Sequence, residues 1–174
     1  MSRLITIVAM VVGVLCSEAA AAREENVLKL PGGTLMAPDG FAWKKLHQEK
    51  MGGKTTVVYG ASSKESRATL ILGIVPAKAE NDDARIEAVK QYVVGTVDSL
   101  KKAGAKNIKL TPSTLRPPLA DKVEFSISFT NERNESSTIS GRVFFANKTY
   151  LIQAVADSNQ EADALVRVTD SLSE

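Results

Sequence analysis

Four short stretches of this chain carry residue types that elsewhere perform chemistry. Gly52-Gly53-Lys54-Thr55 has the tail of a phosphate-binding loop, in which backbone N–H groups cradle a phosphate and the lysine reaches it. That loop needs a glycine at position 48, which is Gln48, and it needs a strand before it and a helix after it. Here both flanks read as strands, so the two glycines predict a hairpin turn, where positive φ carries no steric cost. Ser99 and Lys102 have the Ser-x-x-Lys spacing of penicillin-binding enzymes, but the Ser-Asp-Asn and Lys-Thr-Gly partners are missing. Gly60-Ala61-Ser62-Ser63-Lys64 fails as a nucleophile elbow at its last position. His47 is the one histidine, so a zinc site of several His or Cys ligands is not expected. A triad using His47 is not removed by counting, yet no serine stands in a nucleophile context. Asn81-Asp82-Asp83 lacks the alternating acids, central glycine and closing glutamate of a calcium loop, and reads as a helix cap.

Binding is the alternative to catalysis, and its candidates lie in the first hairpin. Phe41 and Trp43 are two residues apart and share a strand face. Trp43, the only tryptophan, is expected as a core anchor; if exposed, it is the leading binding platform. Lys44, Lys45, Lys50, Lys54, Lys64 and Arg67 give the region a basic bias, offset by Glu49 and Glu65. The set chosen as a binding surface is Phe41, Trp43, Lys44, Lys45, His47 and Lys54, with His47 expected on a solvated strand face. Asn134-Glu-Ser136 and Asn147-Lys-Thr149 are N-glycosylation sequons at predicted turns.

These residues are carried by elements that the apolar pattern marks out. Residues 27–30 and 34–37 read as short strands, followed by the turn Pro38-Asp39-Gly40. Strands are expected over 41–48 and 55–61, and a strand buried on both faces over 68–75. Ile86, Val89, Val93, Val97 and Leu100 recur at steps of three and four, predicting one long helix capped by Asn81–Asp83 and closed by Gly104. A short strand follows at 107–111, then a proline-broken loop. Residues 122–130 alternate with a period of two, the mark of a half-exposed antiparallel strand. Strands at 138–146 and 149–156 complete a meander. A final helix, capped by Asn159, buries Ala162, Leu165, Val166, Val168, Thr169 and Leu172. The order predicts a single α+β domain on an antiparallel sheet of about six or seven strands.

Residues 1–22 read as a secretory signal peptide. Arg3 starts it, Leu4 to Cys16 is its apolar run, and Ala20 and Ala22 set a cleavage site before Arg23. The apolar run falls short of the roughly 20 residues that span a bilayer, so no stable membrane insertion is expected after cleavage. Residues 23–33 are then an N-terminal leader and 34–174 the domain. Cys16, the only cysteine, leaves with the signal, so a core must hold the mature chain without disulfides in a periplasmic or extracellular setting. About 150 residues suffice for that. The net charge of +2 gives no reason to expect a nucleic-acid partner.

In element order across residues 34–172, the chain resembles the PsbP-like superfamily. This fold is shared by the extrinsic PsbP subunit of photosystem II and a Ran-binding nuclear import factor. The resemblance includes the opening Pro38-Asp39-Gly40-Phe41 and the closing run Tyr150-Leu151-Ile152-Gln153-Ala154-Val155-Ala156 before a short helix. It implies an antiparallel sheet flanked by helices, an α/β/α sandwich, and a binding role without catalysis or cofactor. No family binding residue maps onto this chain. The function expected is therefore an exported, non-catalytic module for a protein, an envelope component or a small ligand. The alternatives are a structural subunit of an envelope assembly, or a hydrolase using His47.

Overall fold

The computed structural model describes residues 25–30, 33–51, 54–63, 67–76, 79, 81–111, 115 and 121–171. The signal peptide and its cleavage site, the Gly52-Gly53 turn, Lys64 and Leu172 lie outside them. Within the described residues no helix is long and apolar enough to cross a membrane.

Among the described residues, nine strands and two α-helices follow one another: β1 (Val27–Leu30), β2 (Gly33–Met36), β3 (Phe41–Met51), β4 (Lys54–Ser63), β5 (Thr69–Val75), α1 (Asp82–Lys102), β6 (Lys106–Thr111), β7 (Lys122–Thr130), β8 (Ser136–Phe145), β9 (Thr149–Ala156) and α2 (Asn159–Arg167). A 3₁₀ turn, Val168–Ser171, continues α2. β3 to β9 form one seven-stranded sheet in the order β3-β4-β5-β9-β8-β7-β6, and every pairing is antiparallel. Two meanders, β3–β5 and β6–β9, are thus joined where β5 meets β9. The joining strands are buried along nearly their whole length, as is β8, and β5 falls within the stretch 68–75 expected to be buried on both faces.

Side chains alternate between the two faces of a strand, so the sheet carries two cores. On one face Leu70, Leu72, Ile152 and Ala154 pack with Ala162, Leu165 and Val166 of α2 and with Leu28, Leu30 and Leu35 of the β1–β2 hairpin. On the other, Phe125, Ile127, Ile139, Val143 and Leu151 pack with Val89, Tyr92 and Leu100 of α1. β1 falls within the stretch expected as a leader. It pairs with β2 along its whole length and buries Leu28 and Leu30, so β1 packs as part of the domain.

Both helix starts are capped as the sequence requires. Asn81 Oδ1 accepts from Ala84 N–H at 2.9 Å, and acidic residues occupy the first turn. In α2 the cap is Ser158, one residue before the expected Asn159; its Oγ accepts from Glu161 N–H at 3.2 Å. α1 ends in a Schellman turn. Ala105 N–H reaches Leu100 O at 3.0 Å and Gly104 N–H reaches Lys101 O at 3.1 Å, with Gly104 at φ +76°.

One buried charge ties α2's end to the sheet. Arg142 of β8 has a side chain only 6% exposed, and it donates to Glu124, Asp170 and the Thr169 hydroxyl. Beside it Ser140 donates to Asp163 of α2. The fork geometry of arginine suits two carboxylates at once.

Candidate functional site

The expected binding set does not form one surface. Trp43 is 1% exposed and sits in the core between the sheet and the β1–β2 hairpin, so of the two readings left open the core anchor holds. Its backbone is bridged to Glu25 by hydrogen bonds of 2.8 and 3.0 Å. A β-bulge then divides the rest of the set. Lys45 opposes Tyr59 and His47 opposes Val58, which leaves Leu46 as the extra residue. Directly opposed side chains share a face. Lys45 therefore faces Tyr59 on the Trp43 side, while His47 joins Leu46 and Val58 on the opposite side. Unbroken alternation would have kept Trp43, Lys45 and His47 together.

His47 is half-buried, not on the solvated face expected for it, and its Nε2 is buried without a hydrogen-bond partner among the described residues. Phe41 lines a separate open groove with Met36 and Asp39. Lys45 donates to Gln48 at 3.1 Å, and Lys54 pairs with Met51 in the register of β3 and β4. Strands on both sides of positions 52–53 remove the phosphate-loop reading. Ser99 is buried and donates to Gly95 O at 2.8 Å within α1, whereas Lys102 is exposed, so their spacing is a helix-packing feature. Asn134 and Asn147 are both exposed, each between two strands.

A mostly apolar concavity lies elsewhere, under the C-terminal end of α1. It encloses about 500 Å³, within the range of small-molecule sites. Leu100 and Ala105, the two residues closed on each other by the Schellman turn, form one wall. Phe129, Ile139 and Val155 of β7, β8 and β9 form the floor. Two buried polar side chains interrupt this surface, Ser137 and Gln153; Gln153, 1% exposed, accepts through Oε1 from the Tyr92 hydroxyl of α1 at 3.2 Å. Burial pushes the Tyr92 hydroxyl pKa up, so it stays protonated and donates. Tyr92 is itself held edge-on against Phe125, with ring centroids 5.6 Å apart.

The β7–β8 turn supplies the rim. Asn131 Oδ1 accepts from Arg133 N–H at 2.9 Å and Glu135 N–H at 3.0 Å, and Asn134 takes φ +59°. This fixes Glu132, Arg133 and Glu135 around the opening. Glu135 also receives Asn131 Nδ2 at 3.1 Å and Arg67 at 3.2 Å. These hydrogen bonds, Asn131 first and Arg67 second, hold its carboxyl below the usual range. Arg67, expected within the basic first hairpin, thus belongs to this rim. Asp157 closes the circle, and the rim carries both signs of charge. Among the described residues, no group of three or more His, Cys, Asp or Glu converges in a way that would hold a metal ion.

Little in the sequence marks this site, because its walls come from α1, β7, β8, β9 and the turns beside them. The one available signal is Gln153, an amide in an otherwise apolar strand buried along nearly its whole length. No protein-family model matches this chain, and no curated protein does.

Proposed function

We propose that the chain is an exported binding module that holds a small ligand in the groove beneath the end of α1 and performs no covalent chemistry. In this reading residues 1–22 are a cleaved signal, and the two-sided packing of the sheet makes an α/β/α sandwich of the PsbP-like kind. The observation that carries the reading is the groove itself: an apolar floor, one buried amide and a charged rim, the composition typical of a ligand pocket. Native mass spectrometry on protein recovered from the exported fraction tests it. Extra mass that survives gentle ionisation, vanishes on denaturation and is absent from a Val155→Phe variant supports the reading. A bare chain in both preparations counts against it, and a polypeptide mass that retains residues 1–22 removes the export step.

A further inference from the structure

The groove has a direction. Gln153, Val155 and Asp157 follow one another at every second position along β9 and its continuation, and all three line the cavity. At about 3.4 Å per residue, Gln153 lies roughly 14 Å from Asp157 along the strand. The charged groups, Asp157, Glu132, Glu135, Arg67 and Arg133, gather with Asp157 and the β7–β8 turn. By strand register the charged lining residues lie away from Gln153, whose neighbours are Ile139 and Val155, with Tyr92 bonded to its amide.

Gln153 is not fully satisfied. Its Oε1 is engaged by Tyr92, but its Nε2 makes no hydrogen bond among the described residues. With Oε1 taken by Tyr92, the amide group that Gln153 has left for a bound molecule is its Nε2 donor, and a donor calls for an acceptor. That acceptor is best uncharged. A carboxylate at the Gln153 end would lose its hydration and gain only neutral donors, since the two arginines lie at the opposite end and Arg67 is already bonded to Glu135. The volume holds roughly 17 groups of water size, at about 30 Å³ each. That suits an unbranched chain of around ten heavy atoms with room to spare.

We propose that the groove binds linear apolar molecules carrying an uncharged carbonyl (a ketone, ester or amide), with the carbonyl oxygen accepting from Gln153 Nε2 and the chain lying on Phe129, Ile139 and Val155. This rests on the groove being a ligand site, and it adds the ligand's chemistry.

The test compares three probes of similar size on ¹⁵N-labelled protein: 2-nonanone, nonanoate at neutral pH, and butylbenzene. The side-chain amide signals of Gln153 and the backbone signals of Phe129 and Val155 are followed by NMR titration. The expected result is that 2-nonanone shifts all three sets and binds about tenfold tighter than either other probe, the value of one buried hydrogen bond. In the double variant Gln153→Leu, Tyr92→Phe, that preference vanishes while weak butylbenzene binding persists. Nonanoate or butylbenzene binding as tightly as the ketone would leave the groove a ligand site but overturn the carbonyl preference. No shift at Phe129 or Val155 with any probe at millimolar concentration would overturn the groove as a site. The probe comparison uses the unaltered protein, so it stands even if the double variant folds poorly.

Discussion

Replacing Gly141 with alanine puts a methyl group where the Phe125 ring already lies. Gly141 of β8 opposes Phe125 of β7 in register, and a Cβ at 141 would fall 2.1 Å from Phe125 Cζ and 2.5 Å from Cε1 and Cε2. Comfortable carbon contacts are about 3.5–4.0 Å, so the ring must retreat by about 1.5 Å. It has little room, because Phe125 is buried and its ring meets Tyr92. Overpacking of this kind costs about 1–3 kcal/mol, and loss of the aromatic contact adds about 0.5–1.5 kcal/mol. Alanine also restricts the unfolded chain, which offsets about 0.4–1 kcal/mol. The net is a destabilisation of about 2 kcal/mol, or roughly 4–8 °C in Tm for a chain of this size. Urea unfolding of the two single variants and the double variant checks it. In a Phe125→Leu background the flexible side chain yields, so Gly141→Ala should there cost under about 0.5 kcal/mol, a coupling of about 1.5 kcal/mol. An alanine tolerated in the wild-type background, or an equal cost in both backgrounds, refutes the argument that the ring is confined.

Three further perturbations read other parts of the fold. Arg142→Met removes the charge shared by Glu124 and Asp170; breaking a buried pair costs about 3–5 kcal/mol, and the value expected by chemical denaturation lies at the lower end, because both carboxylates are more than half exposed. Trp43 fluorescence should be blue-shifted and poorly quenched by acrylamide in the native protein, and Trp43→Ala should cost about 3–5 kcal/mol as its core site empties; strong quenching in the folded state would contradict its burial. The folded pKa of Glu135 is depressed below its ordinary 4.5, so its stabilising contribution is complete above that pH and is lost as the pH falls through the lowered value. The Tm difference between wild type and Glu135→Gln should therefore shrink on acidification from neutral pH to below pH 4, and an unchanged difference would show that Asn131 and Arg67 do not stabilise the ionised form.

Local rules made most of the elements legible. The strict alternation over 122–130 and the three–four spacing in 82–102 each arise from one element meeting one face of the sheet, so a single stretch of sequence contains the signal. The antiparallel α+β class follows from the same patterns. The bulge at Leu46 was invisible, because it depends on how β3 registers with β4, and it moved His47 to the other side of the sheet. Arg142 gave a weak cue as a charge within a buried strand, but its partners come from β7 and the 3₁₀ turn after α2. The groove was the least legible feature of all. Aromatic and basic residues drew attention to the first hairpin, whereas the concavity is made by ordinary apolar residues that only the sheet order brings together. A lone buried Gln153 was the cue with physical content, since a buried amide must be satisfied by something.

The seam between β5 and β9 has a consequence for how the chain reaches this structure. Each meander pairs strands that are consecutive in the chain, but β5 and β9 are separated by the whole of α1, β6, β7 and β8. Non-local strand pairing must be reached before it repays its entropy, which makes it the slow event in folding. Until β5 and β9 meet, each half has an apolar strand with one edge unpaired, Thr69–Val75 on one side and Thr149–Ala156 on the other. Crowding of unfinished chains would join β5 of one molecule to β9 of the next, producing strand-exchanged chains in place of monomers.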